Sequence, residues 1–298
     1  MIVKGIHRTV FRPPLKCMDK KINKRYSNSN YVMKYGVMKE DEIKMSKLLL
    51  KIDPTQKYFI YPLPVECVLT DKSIDKLKEQ KLDIKHNKAY IMKYGGITLT
   101  EYMKDSNLHI SFELLLKWFV KLAYALKILE YNKIVHYDIK PDNLLILNQD
   151  IFIIDFGNSM QVTDDLSSIS LYPNYYGVLP LFATIYAINA DSIDGMKKFI
   201  SSRYDRYSKL PDFDMALAVL NSRLRVYGIN AYQVYYITRY IFEIDLWCLA
   251  YIFMFDILTN IEHIPHLKDL LSKMLLLTPQ LQYSIDETVD KIKKYYPQ

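Results

Sequence analysis

Apolar positions change period along the chain, and the changes divide it. Val32-Met33 ahead of Lys34 and Ala89-Tyr90-Ile91-Met92 read as short β-strands. Between them Ile43, Met45, Leu48, Leu49 and Ile52 recur at close to helical spacing and predict a helix over 40–52. Tyr94-Gly95-Gly96 then breaks the pattern. Beyond it, the strongly apolar stretch from Phe112 to Leu129 predicts a long helix, Ile151 to Ile154 a buried strand, and 243–258, 266–277 and 285–295 further helices. The pattern predicts a small mixed region, 1–94, joined by a hinge to a larger, mainly helical region, 95–298. The latter contains a tyrosine-rich middle and unfamiliar sequence near 190–240.

Composition narrows the picture only a little. With 298 residues, half of them apolar, the chain has material for one substantial core or two packed lobes. A formal net charge of +7 permits attraction to nucleic acid, anionic membranes or acidic proteins. The basic residues are scattered, however, and no recognised nucleic-acid motif is present, so solvated surface lysine is the plainer reading. Cys17, Cys67 and Cys248 are few, odd in number and far apart, which argues against a disulfide framework and for a reducing compartment. His263 and His266 have a metal-like spacing but no partners nearby in sequence, and read as loop or helix-end histidines. The first residues lack the apolar core of a signal peptide, and the apolar run Leu246 to Phe255 is about half the ~20 residues that span a bilayer. A soluble, intracellular monomer without a membrane span is expected.

The chemistry concentrates in Ile134-Val135-His136-Tyr137-Asp138-Ile139-Lys140-Pro141-Asp142-Asn143, followed after a short interval by Asp155-Phe156-Gly157. Phosphoryl transfer from ATP needs oxygen ligands for Mg²⁺ and one carboxylate to orient the accepting hydroxyl. Asp138, Asn143 and Asp155 offer those groups. The two motifs, with an apolar strand between them, resemble the H-R-D-x-K-P-x-N catalytic loop and D-F-G motif of the protein-kinase superfamily. The fold so implied is α+β and bilobal, with a small β-rich N-lobe and a larger, mainly helical C-lobe.

By this resemblance Asp138 orients the substrate hydroxyl and accepts its proton, Lys140 steadies the transferred group, and Asn143 and Asp155 hold Mg²⁺, with Mn²⁺ as an alternative. Lys140 followed by Pro141 looks like the serine/threonine-specific loop, which implies protein substrates phosphorylated on Ser or Thr. Lys34 is similar to the third-strand lysine that contacts the ATP phosphates. Its partner glutamate would be Glu42, with Glu40 and Asp41 close by. The glycine-rich loop aligns with Val3 to Val10, which implies ATP contacts at Gly5 and Val10, but only Gly5 of its three glycines is kept and Arg8 replaces the third. Met92-Lys93-Tyr94-Gly95 is similar to the segment joining the lobes, where Met92 would be the gatekeeper and the backbone around Tyr94 would take the adenine edge.

Val10-Phe11-Arg12-Pro13-Pro14-Leu15-Lys16-Cys17 looks like the P-P-x-x-C extension of kinases from large nucleocytoplasmic DNA viruses of the asfarvirus and giant-virus type, which implies host cytoplasm and virion as settings. Asp245-Leu246-Trp247-Cys248 resembles the start of the buried helix under the catalytic loop, with Asp245 capping loop N–H groups. The segment from Asp269 to Ser284 looks like the closing helices, with Gln282 where arginine is usual. No clear A-P-E motif ends the activation segment. Tyr137 stands where many regulated kinases carry an arginine that pairs with a phosphorylated residue. Activity is therefore expected to be independent of phosphorylation at Thr163, Ser167, Ser168 or Ser170. A catalytically weak, kinase-like binding module is the alternative, favoured by the reduced glycine loop.

Overall fold

The computed structural model describes residues 2–4, 9–36, 40–82, 84–105, 110–163, 210, 240–258, 265–276 and 282–295. The chain divides into two compact units. One comprises Met1–Ile97 with Leu145–Gly157, the other Thr98–Leu144 with Asn158–Gln298. Strand sequence that follows the Ile134–Asn143 segment thus clusters with the N-terminal part of the chain.

The first unit is built on β1 (Ile2–Lys4), β2 (Thr9–Phe11), β3 (Tyr31–Tyr35), β5 (Pro62–Val68) and β6 (Lys88–Lys93). They form one sheet in the order β1-β2-β3-β6-β5, with every neighbouring pair antiparallel. Because side chains alternate across a strand, each strand splits its residues between two faces. Phe11, Met33, Ala89, Ile91 and Cys67 share one face and form a buried cluster with Cys17, Leu69 and Leu77. Ile22 and Tyr26 of α1 (Lys20–Tyr26), and Ile74 and Leu77 of α3 (Asp71–Glu79), join that cluster. The opposite face carries Val10, Val32, Lys34, Tyr90 and Met92.

Cys17 and Cys67 form a disulfide, with Cα atoms 5.3 Å apart across a sequence separation of 50 residues. This corrects the expectation from cysteine number and spacing. Sequence distance misled because Cys17 bridges to Leu69 at the end of β5, which carries it alongside Cys67. The argument from cysteine usage for a reducing compartment falls with it.

Helix α2 spans Glu40–Ile52, as its periodicity predicts, and buries Glu42, Met45, Ser46 and Leu49 along one face. Asp53 ends it. Its buried carboxylate accepts the N–H groups of Lys57, Tyr58 and Phe59 at 2.9, 2.7 and 3.0 Å, and its carbonyl accepts the Tyr61 hydroxyl at 2.9 Å. This turn launches β4 (Phe59–Ile60), which runs parallel to β10 (Asp150–Ile154) in a second sheet of order β4-β10-β9-β7. The other two strands are β9 (Leu144–Leu147) and β7 (Ile97–Thr98). Gly96 precedes β7 at a φ of +96°, and a Cβ there would lie 1.7 Å from the Ile146 carbonyl oxygen. Gly96 is thus required by close backbone approach, whereas a Cβ at Gly95 would meet the side chains of Ile60 and Leu145.

The second unit is mainly helical. Thr98 and Glu101 form a capping box on α4 (Leu99–Lys104), and Ser111 caps α5 (Phe112–Tyr131). Leu115, Trp118, Phe119, Leu122, Leu126 and Leu129 give α5 its buried face. β8 (Ile134–Val135) pairs antiparallel with β11 (Met160–Gln161). α6 (Glu243–Tyr251) is buried continuously from Ile244 to Ala250, as an all-round apolar helix must be. It passes into a π-helical turn, Ile252–Ile257, where an α-helix to 258 was expected. The last helices are α7 (Pro265–Met274), three residues shorter at its end than its pattern suggests, and α8 (Ile285–Tyr295). Trp247 Nε1 donates to the Leu275 carbonyl at 3.2 Å, and Lys127 of α5 pairs with Asp286 of α8. Among the described residues no helix is long and apolar enough to cross a membrane.

In the non-reduced, denatured protein, thiol labelling should find Cys248 alone reactive. Closing a loop of this length is worth about 4 kcal/mol by chain entropy, so Cys67→Ser should lower unfolding free energy by about 2–4 kcal/mol in urea. Labelling of all three cysteines would refute the pairing.

Candidate active site

Asp138 lies at the centre of a network inside the second unit. The chain leaves β8 and turns through Tyr137, whose φ of +63° is a left-handed value that a bulky residue adopts only at a cost. Asp245, 3% exposed in the first turn of α6, holds this turn. Its Oδ2 accepts the His136 N–H at 2.6 Å and its Oδ1 the Tyr137 N–H at 2.8 Å. Burial pushes the Asp245 carboxyl above the ordinary carboxylate range, opposed by its electrostatic interaction with His136 and by those two N–H groups. The Asp138 N–H donates to His136 Nδ1 at 3.2 Å, and Ser159 Oγ donates to the His136 carbonyl at 3.2 Å.

Three side chains converge on the Asp138 carboxylate. Lys140 Nζ stands 3.0 and 2.8 Å from its two oxygens. Asn143 Nδ2 donates to Oδ2 at 2.9 Å and to the Asp138 carbonyl at 2.8 Å. Asn158 Nδ2 reaches Oδ2 at 3.4 Å. Pro141 opens the short 3₁₀ turn Pro141–Asn143, which folds Asn143 back towards Asp138. Asp138 is 7% and Lys140 22% exposed at the side chain, so the pair is partly desolvated. With its amide nitrogen engaged on Asp138, Asn143 keeps its Oδ1 as the atom suited to a hard cation. Tyr137 is buried, and burial raises its phenol well above the ordinary range. A buried, neutral phenol offers no cation to pair with a phosphate.

In the first unit Asp155 follows β10 at a φ of +63° and is exposed. Phe156 is buried edge-on against Phe59, with ring centroids 5.6 Å apart, and so fixes the turn that presents Asp155. Val10, Lys34 and Tyr90 stand in a cross-strand row, with Lys34 Nζ 5.9 Å from the Tyr90 ring centre. Met92 shares their face one pair along, opposite Val32. Among the three neighbouring carboxylates of α2, Glu42 is buried, whereas Glu40 and Asp41 are exposed and pair with Lys44. Tyr94 lies beneath the Arg12 guanidinium, 3.3 Å from its ring centre, and its N–H donates to the Asn30 carbonyl at 2.8 Å. Gly5 and Arg8 lie outside the described residues, as do His263 and the stretch 211–239. His266 stacks flat on Tyr295 with ring centroids 4.9 Å apart, a packing role.

Sequence reading did not single out Asp53, Asn158, Ser159 or the Arg12–Tyr94 stack. Asp53 carried a signal in Asp53-Pro54-Thr55, since aspartate ahead of such a turn commonly accepts backbone N–H groups. The other three depend on contacts that leave no local pattern.

Residues 73–178 match the family profile described as Protein kinase domain. The fold is of the protein kinase type. A serine/threonine-protein kinase of rice, Nek6, is 26% identical over 154 residues, half of this chain and 29% of that protein. A putative serine/threonine-protein kinase, R436, of Acanthamoeba polyphaga mimivirus is 28% identical over 158 residues, 49% of this chain and 54% of that protein. A probable serine/threonine-protein kinase of Dictyostelium discoideum, gdt8, is 33% identical over 114 residues, 30% of this chain and 9% of that protein. The chain thus spans about half or less of the length of these relatives. The matched span includes the Ile134–Asn143 segment and Asp155.

Replacing Asp245 by Ala would leave two buried N–H groups without an acceptor, at about 3 kcal/mol of stability. Asp245→Asn, which keeps one acceptor oxygen, should cost about half as much in urea unfolding. Equal stability of the Ala variant and the parent would remove this carboxylate from the loop's support.

Proposed function

We propose that the chain is a serine/threonine protein kinase that transfers the γ-phosphoryl group of ATP to protein hydroxyls. The observation that carries the proposal is the Asp138 carboxylate gripped by Lys140 and Asn143 within one loop. A surface carboxylate has no need of two such partners. Asp138 is the group that orients the accepting hydroxyl and takes its proton, while the Lys140 ammonium balances charge gathering on the transferred group. Magnesium, when bound with ATP, neutralises phosphate charge. The Asn143 amide oxygen and the exposed Asp155 carboxylate are the oxygen donors that fit it, and Mn²⁺ suits the same donors.

On the nucleotide side, Lys34 contacts phosphate, with the buried Glu42 as its partner in this reading, and Val10, Met92 and Tyr94 border the adenine. Gly5 belongs to the same reading by sequence alone. Lys140-Pro141 and the names of the relatives support Ser and Thr over Tyr as acceptors. The relative from mimivirus and the Pro13-Pro14 extension support a viral setting in host cytoplasm, and a monomer is the simplest form consistent with a site built from one chain.

Asp155→Asn should abolish Mg²⁺-dependent transfer and leave the unfolding curve unchanged, because it removes charge from an exposed position rather than a core contact. Asp138→Asn should lower turnover by orders of magnitude and spare nucleotide binding. Retained turnover in a clean Asp155→Asn preparation would sink the assignment. The buried Tyr137 further implies an enzyme active as synthesised. Phosphatase treatment should leave most of the turnover, and a loss of tenfold or more, about 1.4 kcal/mol in barrier, would show that another group reads a phosphate there.

A further inference from the structure

We propose that the first unit carries a second binding site, a docking site for a phosphorylated segment of a protein, on the side of the sheet covered by α1 and α3. A depression of about 610 Å³ opens there between the Phe11–Lys16 segment and α3, within the range of sites that hold a specific group. Lys16, Lys72 and Lys76 line it, and all three are exposed. Lys72 and Lys76 are one helical turn apart, so α3 presents both ammonium groups on the same face. Arg12 stands at the rim, held over Tyr94 and donating from Nε to the Ser29 carbonyl at 2.8 Å. Against these cations the lining offers one carboxylate, Glu79.

The frame is preorganised. The Lys16 carbonyl accepts Ser73 Oγ at 2.8 Å and the Thr70 N–H at 3.2 Å, tying the segment to the start of α3. The next residue, Cys17, is fixed by its disulfide and by two hydrogen bonds to the Asn23 side chain. A site whose backbone is already fixed loses little entropy when it binds.

The lining also selects among polyanions. Pro13, Pro14 and Leu15 form an apolar wall that suits peptide side chains. Single-stranded nucleic acid needs exposed aromatic faces on which bases stack, and the aromatic of this lining, Phe11, is buried in the sheet at 4% exposure. A bilayer is flat and the depression is concave. A phosphate ester concentrates close to two charges, which suits a lining with three lysines, whereas a single carboxylate brings only one. Phosphorylated protein is the product class of the proposed reaction, so the site would hold a substrate already modified elsewhere. That link rests on the kinase reading, whereas the binding does not.

The test is a fluorescence-anisotropy titration of the full chain, without ATP. One labelled probe is a short peptide carrying phosphothreonine among leucine, proline and glutamate residues, and the second is its unphosphorylated twin. Oligothymidylate and phosphatidylserine-containing vesicles serve as competitors. The phosphopeptide should bind, the twin should bind at least about tenfold more weakly, and the Lys72→Glu/Lys76→Glu variant should lose at least about tenfold in affinity. Both lysines are exposed, so the variant's melting temperature should stay close to the parent's. Equal binding of the twin, undiminished binding by the variant, or tighter binding of oligothymidylate or vesicles would each overturn the proposal. Because no nucleotide is present, failure of the kinase reading would leave this result unaffected.

Discussion

The Asp245 carboxylate is the constraint on which the loop around Asp138 depends. It is buried, lies more than a hundred residues further along the chain, and spends both oxygens on consecutive backbone N–H groups. Desolvating a carboxylate is costly unless donors surround it, and a left-handed tyrosine is costly unless something holds it. Each cost is met by the other feature. With His136 and Tyr137 pinned, Asp138 begins from a fixed backbone, and the Pro141 turn then brings Asn143 to its carboxylate. The continuous burial of α6 supports the same arrangement, because the helix that supplies Asp245 cannot shift without opening the core.

The first unit solves a different problem with the alternation of its strands. One face of the sheet is buried by α1, α3 and the Cys17–Cys67 link. The other face is left to Val10, Lys34, Tyr90 and Met92, a lysine in an apolar and aromatic row. Asp53 and Asp245 use the same device, a buried aspartate collecting backbone N–H groups at a turn that must not move.

Much of this was legible because it rests on local pattern. Helical spacing delimited Glu40–Ile52 and Ile285–Tyr295, and the spacing of Asp138, Lys140 and Asn143 marked one loop. The Gly95-Gly96 break was visible as a break, although its cause, the Ile146 carbonyl pressed against Gly96, is a contact about fifty residues away. The disulfide was missed for the same reason, since strand pairing rather than sequence distance brings Cys17 to Cys67. Glu42 could not be separated from Glu40 and Asp41 by spacing, and burial separates them. The π-helical end of α6 has no signature in its apolar run, because every residue there reads as equally helical.

The central claim is that the Asp138 loop transfers phosphate to serine or threonine hydroxyls, and the most direct measurement is phosphoamino-acid analysis. Purified chain would be incubated with Mg²⁺ and γ-labelled ATP, alone and with generic basic and acidic protein substrates. The account predicts label in phosphoserine or phosphothreonine. Label chiefly in phosphotyrosine, or no transfer from a chain whose melting temperature does rise with Mg-ATP, would contradict it.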